Sequence, residues 1–209
     1  MGIGTYRQIG YWKNSFTLFT HAVEVTQNNY IAHYDLGKTY GTLGRYQDAI
    51  YAYKQAIRIK PDYAEAHNNL GFAYGKLGRY QDAVEAHKQA IRIEPDLAKA
   101  HCNLGNAYDK LGRYQESIEA YKQAIRIKPD FAEAHYNLGV TYGELGRWQD
   151  AAEAFKQAIR IKPDYTEAHC NLGVAYLAIG DKNSALTEYN ILKSLNSESA
   201  NNLFKAINK

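Results

Sequence analysis

Residues 64–97 read AEAHNNLGFAYGKLGRYQDAVEAHKQAIRIEPDL, and nearly the same text returns every 34 residues along the chain. Leu-Gly stands at Leu36-Gly37, Leu70-Gly71, Leu104-Gly105, Leu138-Gly139 and Leu172-Gly173. A second glycine follows each pair, at Gly44, Gly78, Gly112, Gly146 and Gly180, and a proline closes four of the units, at Pro61, Pro95, Pro129 and Pro163. A period of this size means a repeat array, in which units contact their neighbours and share one continuous core. It sets aside the one or two globular domains that 209 residues would otherwise suggest.

Within the quoted unit, Ala66, His67, Leu70, Gly71, Tyr74 and Leu77 recur at helical spacing. So do Tyr80, Ala83, Val84, His87, Ala90, Ile91 and Ile93. Each half is therefore an amphipathic helix with one apolar stripe. Gly78 ends the first helix, because glycine tolerates the left-handed conformation after a helix. Pro95 stops the second, because proline has no amide donor and clashes with the preceding turn. Asp62 with Glu65 reads as a capping box, repeated at Asp130–Glu133 and Asp164–Glu167 and broken at Asp96–Lys99. Small residues mark close helix approach: Gly71 and its equivalents, then Ala49, Ala83, Ser117, Ala151 and Ala185, then Ala56, Ala90, Ala124 and Ala158. Tyrosines such as Tyr40, Tyr74, Tyr108 and Tyr142 fill the gaps, so the 19 tyrosines read as packing residues rather than a base-stacking platform.

The Leu-Gly pair, the tyrosine that follows, the glycine before Arg-Tyr, the small residues and the closing proline resemble the tetratricopeptide repeat family. The resemblance covers five units in register, 30–63, 64–97, 98–131, 132–165 and 166–199. It implies an all-α fold, a right-handed α-solenoid of helix–turn–helix repeats with a concave groove lined mainly by first helices. Two departures stand out. His33, His67, His101, His135 and His169 occupy a column where the family carries an aromatic residue most often, and the fifth unit has Leu192 and Ser197 in place of alanine and proline. The last unit therefore reads as a cap. Beyond it, Ala200, Leu203, Phe204 and Ile207 form the apolar stripe of a helix over 197–208 that covers the array. At the other end, Tyr6, Gly10, Trp12, Ser15 and Phe19 keep the register and suggest a truncated unit over 1–29. The stretch from Tyr11 to Gly37 is also similar to the junction in bacterial membrane sugar transferases that carry such tails.

The net charge of +3 gives no electrostatic case for nucleic acid or a membrane surface. No apolar run is long enough to insert this chain into a bilayer, so the expectation is a soluble, cytoplasmic location by default, or an extracytoplasmic one for a transferase tail. Cys102 and Cys170 fall two repeats apart, too far for a disulfide within one molecule. No catalytic constellation emerges. The glycines end or interrupt helices rather than cradle phosphate, no serine or cysteine has a base fixed by spacing, and no cofactor is implied. The histidine column is not a metal site, since imidazoles about 10 Å apart cannot share one ion.

The functional signal is a column of asparagines on the first helices: Asn69, Asn103, Asn137 and Asn171, with Asp35 in the first unit. Asparagine is a poor mid-helix residue, and a carboxamide that donates and accepts suits a peptide bond. The column is similar to the asparagine ladder in the superhelix of O-linked N-acetylglucosamine transferases, which implies that these side chains grip a ligand's backbone. The alternative is that they bond their own repeat or a neighbouring helix. Rungs about 10 Å apart would each serve about three extended residues. Specificity then falls to varied positions on the same face, chiefly Tyr34, Lys38, Phe72, Lys76, Lys99 and Tyr136, with Cys102, Asn106, Asp109, Lys110, Val140, Glu144 and Val174. The early units are basic and aromatic; the later ones carry Glu133, Glu144 and Glu167. The clamp that some family members use for a C-terminal carboxylate is missing, because only Asn69 and Lys99 match it. The expected function is a non-enzymatic scaffold for an extended peptide or a partner's helix. The alternatives are an accessory domain of a larger membrane glycosyltransferase and, less readily, weak self-association.

Overall fold

Gly78 sets the geometry of the repeat. Its φ of 73° is a left-handed conformation that side-chain-bearing residues avoid. There the Gly78 amide donates to the Gly75 carbonyl at 3.0 Å and the Arg79 amide to the Tyr74 carbonyl at 3.0 Å, the paired bonds of a Schellman turn. Gly44, Gly112, Gly146 and Gly180 repeat the conformation, with φ from 69° to 85°. The residue after the turn is locked as well. The Arg79 guanidinium lies 4.4 Å from the Tyr74 ring centroid and its Nε donates to Asp82 at 2.7 Å.

The structure is a computed structural model that describes residues 15–26, 28–195 and 198–207. It contains twelve helices among those residues. Helix α1 is Ser15–Val25. Five pairs follow: α2 Tyr30–Thr42 with α3 Tyr46–Ile59, α4 Ala64–Lys76 with α5 Tyr80–Ile93, α6 Ala98–Lys110 with α7 Tyr114–Ile127, α8 Ala132–Glu144 with α9 Trp148–Ile161, and α10 Thr166–Ala178 with α11 Lys182–Ser194. Helix α12 is Ser199–Ile207. No strand occurs among the described residues, and the fold is an all-α solenoid of helix–turn–helix repeats. The chain divides into two compact units, Met1–Ala107 and Tyr108–Lys209. In the first, α1 packs on α2, α2 on α3, α3 on α4 and α4 on α5. In the second, α7 packs on α8, and the succession continues to α11 and α12. Tyr6, Gly10, Trp12 and Ser197 lie outside the described residues.

The pairs α2–α3, α4–α5 and α8–α9 close on the same contact. Ala49, Ala83, Ala151 and Ala185 are buried on the second helices, at most 1% exposed, where a small side chain lets the helices approach. On the first helices the glycine of Leu-Gly lies under a flat ring. A Cβ at Gly71 would stand 2.7 Å from the His87 ring, and one at Gly139 would stand 2.7 Å from Phe155. Ser117 breaks the alanine column: its hydroxyl is buried with no hydrogen-bond partner among the described residues. In the last pair Leu203 of α12, not a ring from α11, covers Gly173. Tyr189 instead stacks on Phe204 at 5.2 Å. Ala200, Leu203 and Ile207 are buried with Leu192 and Ala185, while Phe204 stays 48% exposed, so three of the four stripe residues are covered.

The capping boxes are not formed. Helices α4, α8 and α10 begin after Tyr63, Phe131 and Tyr165, none of which makes a side-chain cap, and Asp62, Asp130 and Asp164 sit one residue too early. The histidine column makes the contact at these helix starts instead. The Nε2 of His67, His101 and His169 lies 2.9 Å from the carbonyl oxygen of Pro61, Pro95 and Pro163, and His135 lies 3.0 Å from that of Pro129. A carbonyl only accepts, so Nε2–H donates and ties each helix start to the preceding turn. Side-chain caps do occur at Asn29, which accepts from the Ala32 amide at 2.9 Å, and at Asp181, which accepts from Ser184 at 3.0 Å.

Candidate functional site

On each 13-residue first helix the second, sixth, ninth and thirteenth positions lie within about 60° of one another at 100° per residue. They are Ile31, Asp35, Lys38 and Thr42 on α2, and Glu65, Asn69, Phe72 and Lys76 on α4. On α8 they are Glu133, Asn137, Val140 and Glu144, and on α10 Glu167, Asn171, Val174 and Ala178. Leucine and alanine occupy the opposite, buried side.

Three of the asparagines are tied to the preceding repeat. The Asn69 amide donates to the Tyr34 hydroxyl at 3.0 Å and the Asn171 amide to the Tyr136 hydroxyl at 3.1 Å. The Asn103 amide donates to Asn68 Oδ1 at 3.1 Å. The Asn137 main-chain carbonyl accepts from the Thr141 hydroxyl at 3.1 Å. All four asparagines are half-buried. A carboxamide carries two N–H groups and a carbonyl oxygen. At Asn69, Asn103 and Asn171 one N–H is used, and the rest of the group makes no further hydrogen bond among the described residues. The amide is thus held in one orientation with donor and acceptor capacity to spare.

Tyr34 and Tyr136 belong to packed aromatic clusters. Tyr34 lies 4.9 Å from Tyr63 and 5.9 Å from Tyr53; Tyr136 lies 4.9 Å from Tyr165 and 5.7 Å from Phe155. Burial pushes both hydroxyls above the usual tyrosine range, so they are neutral acceptors for Asn69 and Asn171. The charged and apolar candidates face outward. Lys38 is exposed, 3.5 Å from Asp35 and 5.4 Å from the Tyr34 ring centroid. Phe72 is 48% exposed, with the Lys76 ammonium 5.1 Å above its ring. Lys99 is exposed in the first turn of α6. Cys102 is 1% exposed and does not reach this face. Asp109 accepts from the Thr141 hydroxyl at 2.9 Å.

Two polar pairs were not legible as such in the sequence. His87 is 2% exposed in the ring position over Gly71, and its Nδ1 lies 3.0 Å from Asn68 Oδ1, the atom that also accepts from Asn103. His169 Nδ1 lies 2.6 Å from the carboxylate of Glu188, which replaces the alanine of Ala52, Ala86, Ala120 and Ala154. The available signal was a polar residue in an otherwise apolar column. No group of three or more histidine, cysteine, aspartate or glutamate side chains is placed to hold a metal among the described residues. No described helix is long and apolar enough to cross a membrane.

Comparison with known families matches the TPR repeat model at residues 42–78, 76–112, 105–146 and 141–180, and tetratricopeptide repeat models at 18–51 and 166–198. The chain belongs to the tetratricopeptide repeat family. Among solved structures it is similar to MamA, with 30% identity, 77% of this chain and 94% of that chain covered, and a TM-score of 0.72. YrrB, described as "a TPR protein with an unusual peptide-binding site", shares the fold at 20% identity, covering 90% of this chain and 97% of that one with a TM-score of 0.70. PilF of Pseudomonas aeruginosa shares it at 20% identity, covering 79% and 75%, with a TM-score of 0.73. A search of curated proteins finds no match.

Proposed function

We propose that this tetratricopeptide repeat protein is an interaction scaffold that holds an extended peptide against the exposed faces of its first helices. In the first compact unit Asn69 and Asn103 would hydrogen-bond the ligand's backbone, and in the second Asn137 and Asn171. Tyr34, Lys38, Phe72, Lys76, Lys99 and Tyr136 would read or support its side chains. The observation that carries the reading is the state of the carboxamides. Each of Asn69, Asn103 and Asn171 spends one N–H on the preceding repeat and so presents its remaining groups in a fixed direction. Groups fixed before binding lose little entropy on binding. Family membership and the peptide-binding site described for YrrB support a protein or peptide ligand.

The test is a selection of extended peptides of about twelve residues on the full chain. The binders are then measured against Asn69→Ala with Asn103→Ala, and against Asn137→Ala with Asn171→Ala. A loss of about tenfold or more in affinity, with an unchanged circular dichroism spectrum, is expected for at least one pair. Unchanged affinity in both pairs refutes the grip.

A further inference from the structure

Two side chains on the first compact unit are placed at a cost that the repeat does not explain. Phe72 is 48% exposed and Ile31 is 53% exposed, both on the outward stripe of α4 and α2. The array has no structural need for phenylalanine at that position, since Lys38, Asn106, Val140 and Val174 take it in the other repeats. Lys99 stands in the first turn of α6, where the positive end of the helix dipole disfavours a cation. Glu65, Glu133 and Glu167 hold the same place on α4, α8 and α10, and those helices follow the expected rule. Lys99 makes no ion pair among the described residues that would offset its position.

The rest of the stripe has the same character. Lys76 makes no ion pair among the described residues and rests over the Phe72 ring. Lys38 has only a loose partner, Asp35 at 3.5 Å, with 55% of the lysine side chain exposed. An exposed pair of that kind contributes little and is readily exchanged for a ligand's carboxylate. Three cations thus share the exposed first-helix faces of this unit with Phe72, one of them directly over its ring, against Asp35 and Glu65. Hydrogen bonds from Asn69 to Tyr34 and from Asn103 to Asn68 connect the three helices that carry them.

From this charge pattern we infer that the face formed by Lys38, Phe72, Lys76 and Lys99 takes an acidic segment built around one bulky apolar side chain. The inference rests on the peptide-binding reading above and adds the chemistry of the partner. The apolar side chain covers Phe72, and carboxylates on either side meet Lys76 and Lys99. Positions two and thirteen of such a helix are about 16 Å apart at 1.5 Å per residue, the span of about five extended residues. Lys76 lies over the Phe72 ring, so one carboxylate stands close to the apolar side chain, and Lys99, in the first turn of the next first helix, meets another further along the segment.

Fluorescence anisotropy with the full chain tests this, using labelled peptides of about twelve residues with blocked termini. One carries glutamates on both sides of a central leucine, a second carries lysines in their place, and a third keeps the glutamates around a central serine. The acidic leucine peptide is expected to bind at least about tenfold tighter than its lysine counterpart, with the preference shrinking as salt rises. It is expected to lose about tenfold in Lys76→Glu with Lys99→Glu, and about fivefold in Phe72→Ala or with the serine peptide. All three residues are exposed, so the fold survives these changes. Equal or tighter binding of the lysine peptide, or indifference to the charge reversal, overturns the inference. In that event Asn69→Ala with Asn103→Ala separates the two layers. If this pair weakens whichever peptide bound, the backbone grip stands and only the acidic preference falls. If it has no effect, both fall.

Discussion

His87→Phe should make the protein more tolerant of mild acid. His87 sits where Phe155 sits in another repeat, over a Leu-Gly glycine, so phenylalanine fits the space. Asn68 Oδ1 accepts from Asn103, so it takes Nδ1–H of His87 as a second donor, which leaves Nε2 as the unprotonated nitrogen. Protonating Nε2 would put a cation in an apolar slot beside Gly71. Burial accordingly pushes the His87 pKa from 6.5 down to about 3. The folded pKa lies below the unfolded one, so the unfolded chain takes up the proton first. The stability contributed by the neutral ring is complete above about pH 6.5 and is lost as the pH falls towards about 3. Between pH 7.5 and 5.0 the loss is about 2 kcal/mol, from 1.36 kcal/mol per pKa unit over about one and a half units.

Urea unfolding followed by circular dichroism at those two pH values, on wild type and variant, gives the difference of differences. Other titrating groups, among them His33, whose pKa is also lowered by burial, contribute equally to both proteins and cancel. The wild type should lose about 2 kcal/mol more than His87→Phe on acidification. A difference below about 0.5 kcal/mol would show that His87 is already solvated or charged in the folded state, and the argument from burial would fail.

Four further substitutions test the packing. Gly71→Ala should destabilise by about 1–3 kcal/mol, because its Cβ would press into the His87 ring, whereas Gly75→Ala should stabilise by up to about 1 kcal/mol, because that helical site is open; thermal melts of both variants check the opposite signs. Ser117→Ala should stabilise by about 1 kcal/mol in urea titration, since it removes a buried hydroxyl with no partner among the described residues and restores the alanine of the other repeats. Glu188→Ala should cost about 1–3 kcal/mol in the same assay despite matching its column, because it strips the partner from buried His169; unchanged stability would show that the pair is no better than an alanine there.

Periodicity made the solenoid legible because each structural column answers to one steric demand. Gly78 must turn left-handed, Gly71 must lie under a ring and Ala83 must let two helices touch; the first two demands leave glycine repeating and the third a small residue, alanine or Ser117. Hydrogen-bond partners were less legible. Asp62 and Glu65 have the spacing of a cap, but the helix starts one residue later and His67 holds the turn instead. The clue was present in the constant six-residue separation of Pro61 from His67, Pro95 from His101, Pro129 from His135 and Pro163 from His169. For the asparagines, position fixed the face but not the direction of the amide. That direction depends on whether Tyr34, Asn68 or Tyr136 lies at the neighbouring rung, so the pairing became visible only with side chains in place.

The replacement of a ring by Leu203 over Gly173 makes array length a matter of competition for one socket. A further repeat docking on α10 and α11 would have to displace α12 and return Tyr189 to the glycine. Helix α12, packed through Ala200, Leu203 and Ile207 with Leu203 in the glycine socket, is therefore an adjustable cover. Weakening Leu203 would uncover the Gly173 face of α10, and strengthening it would keep that face covered.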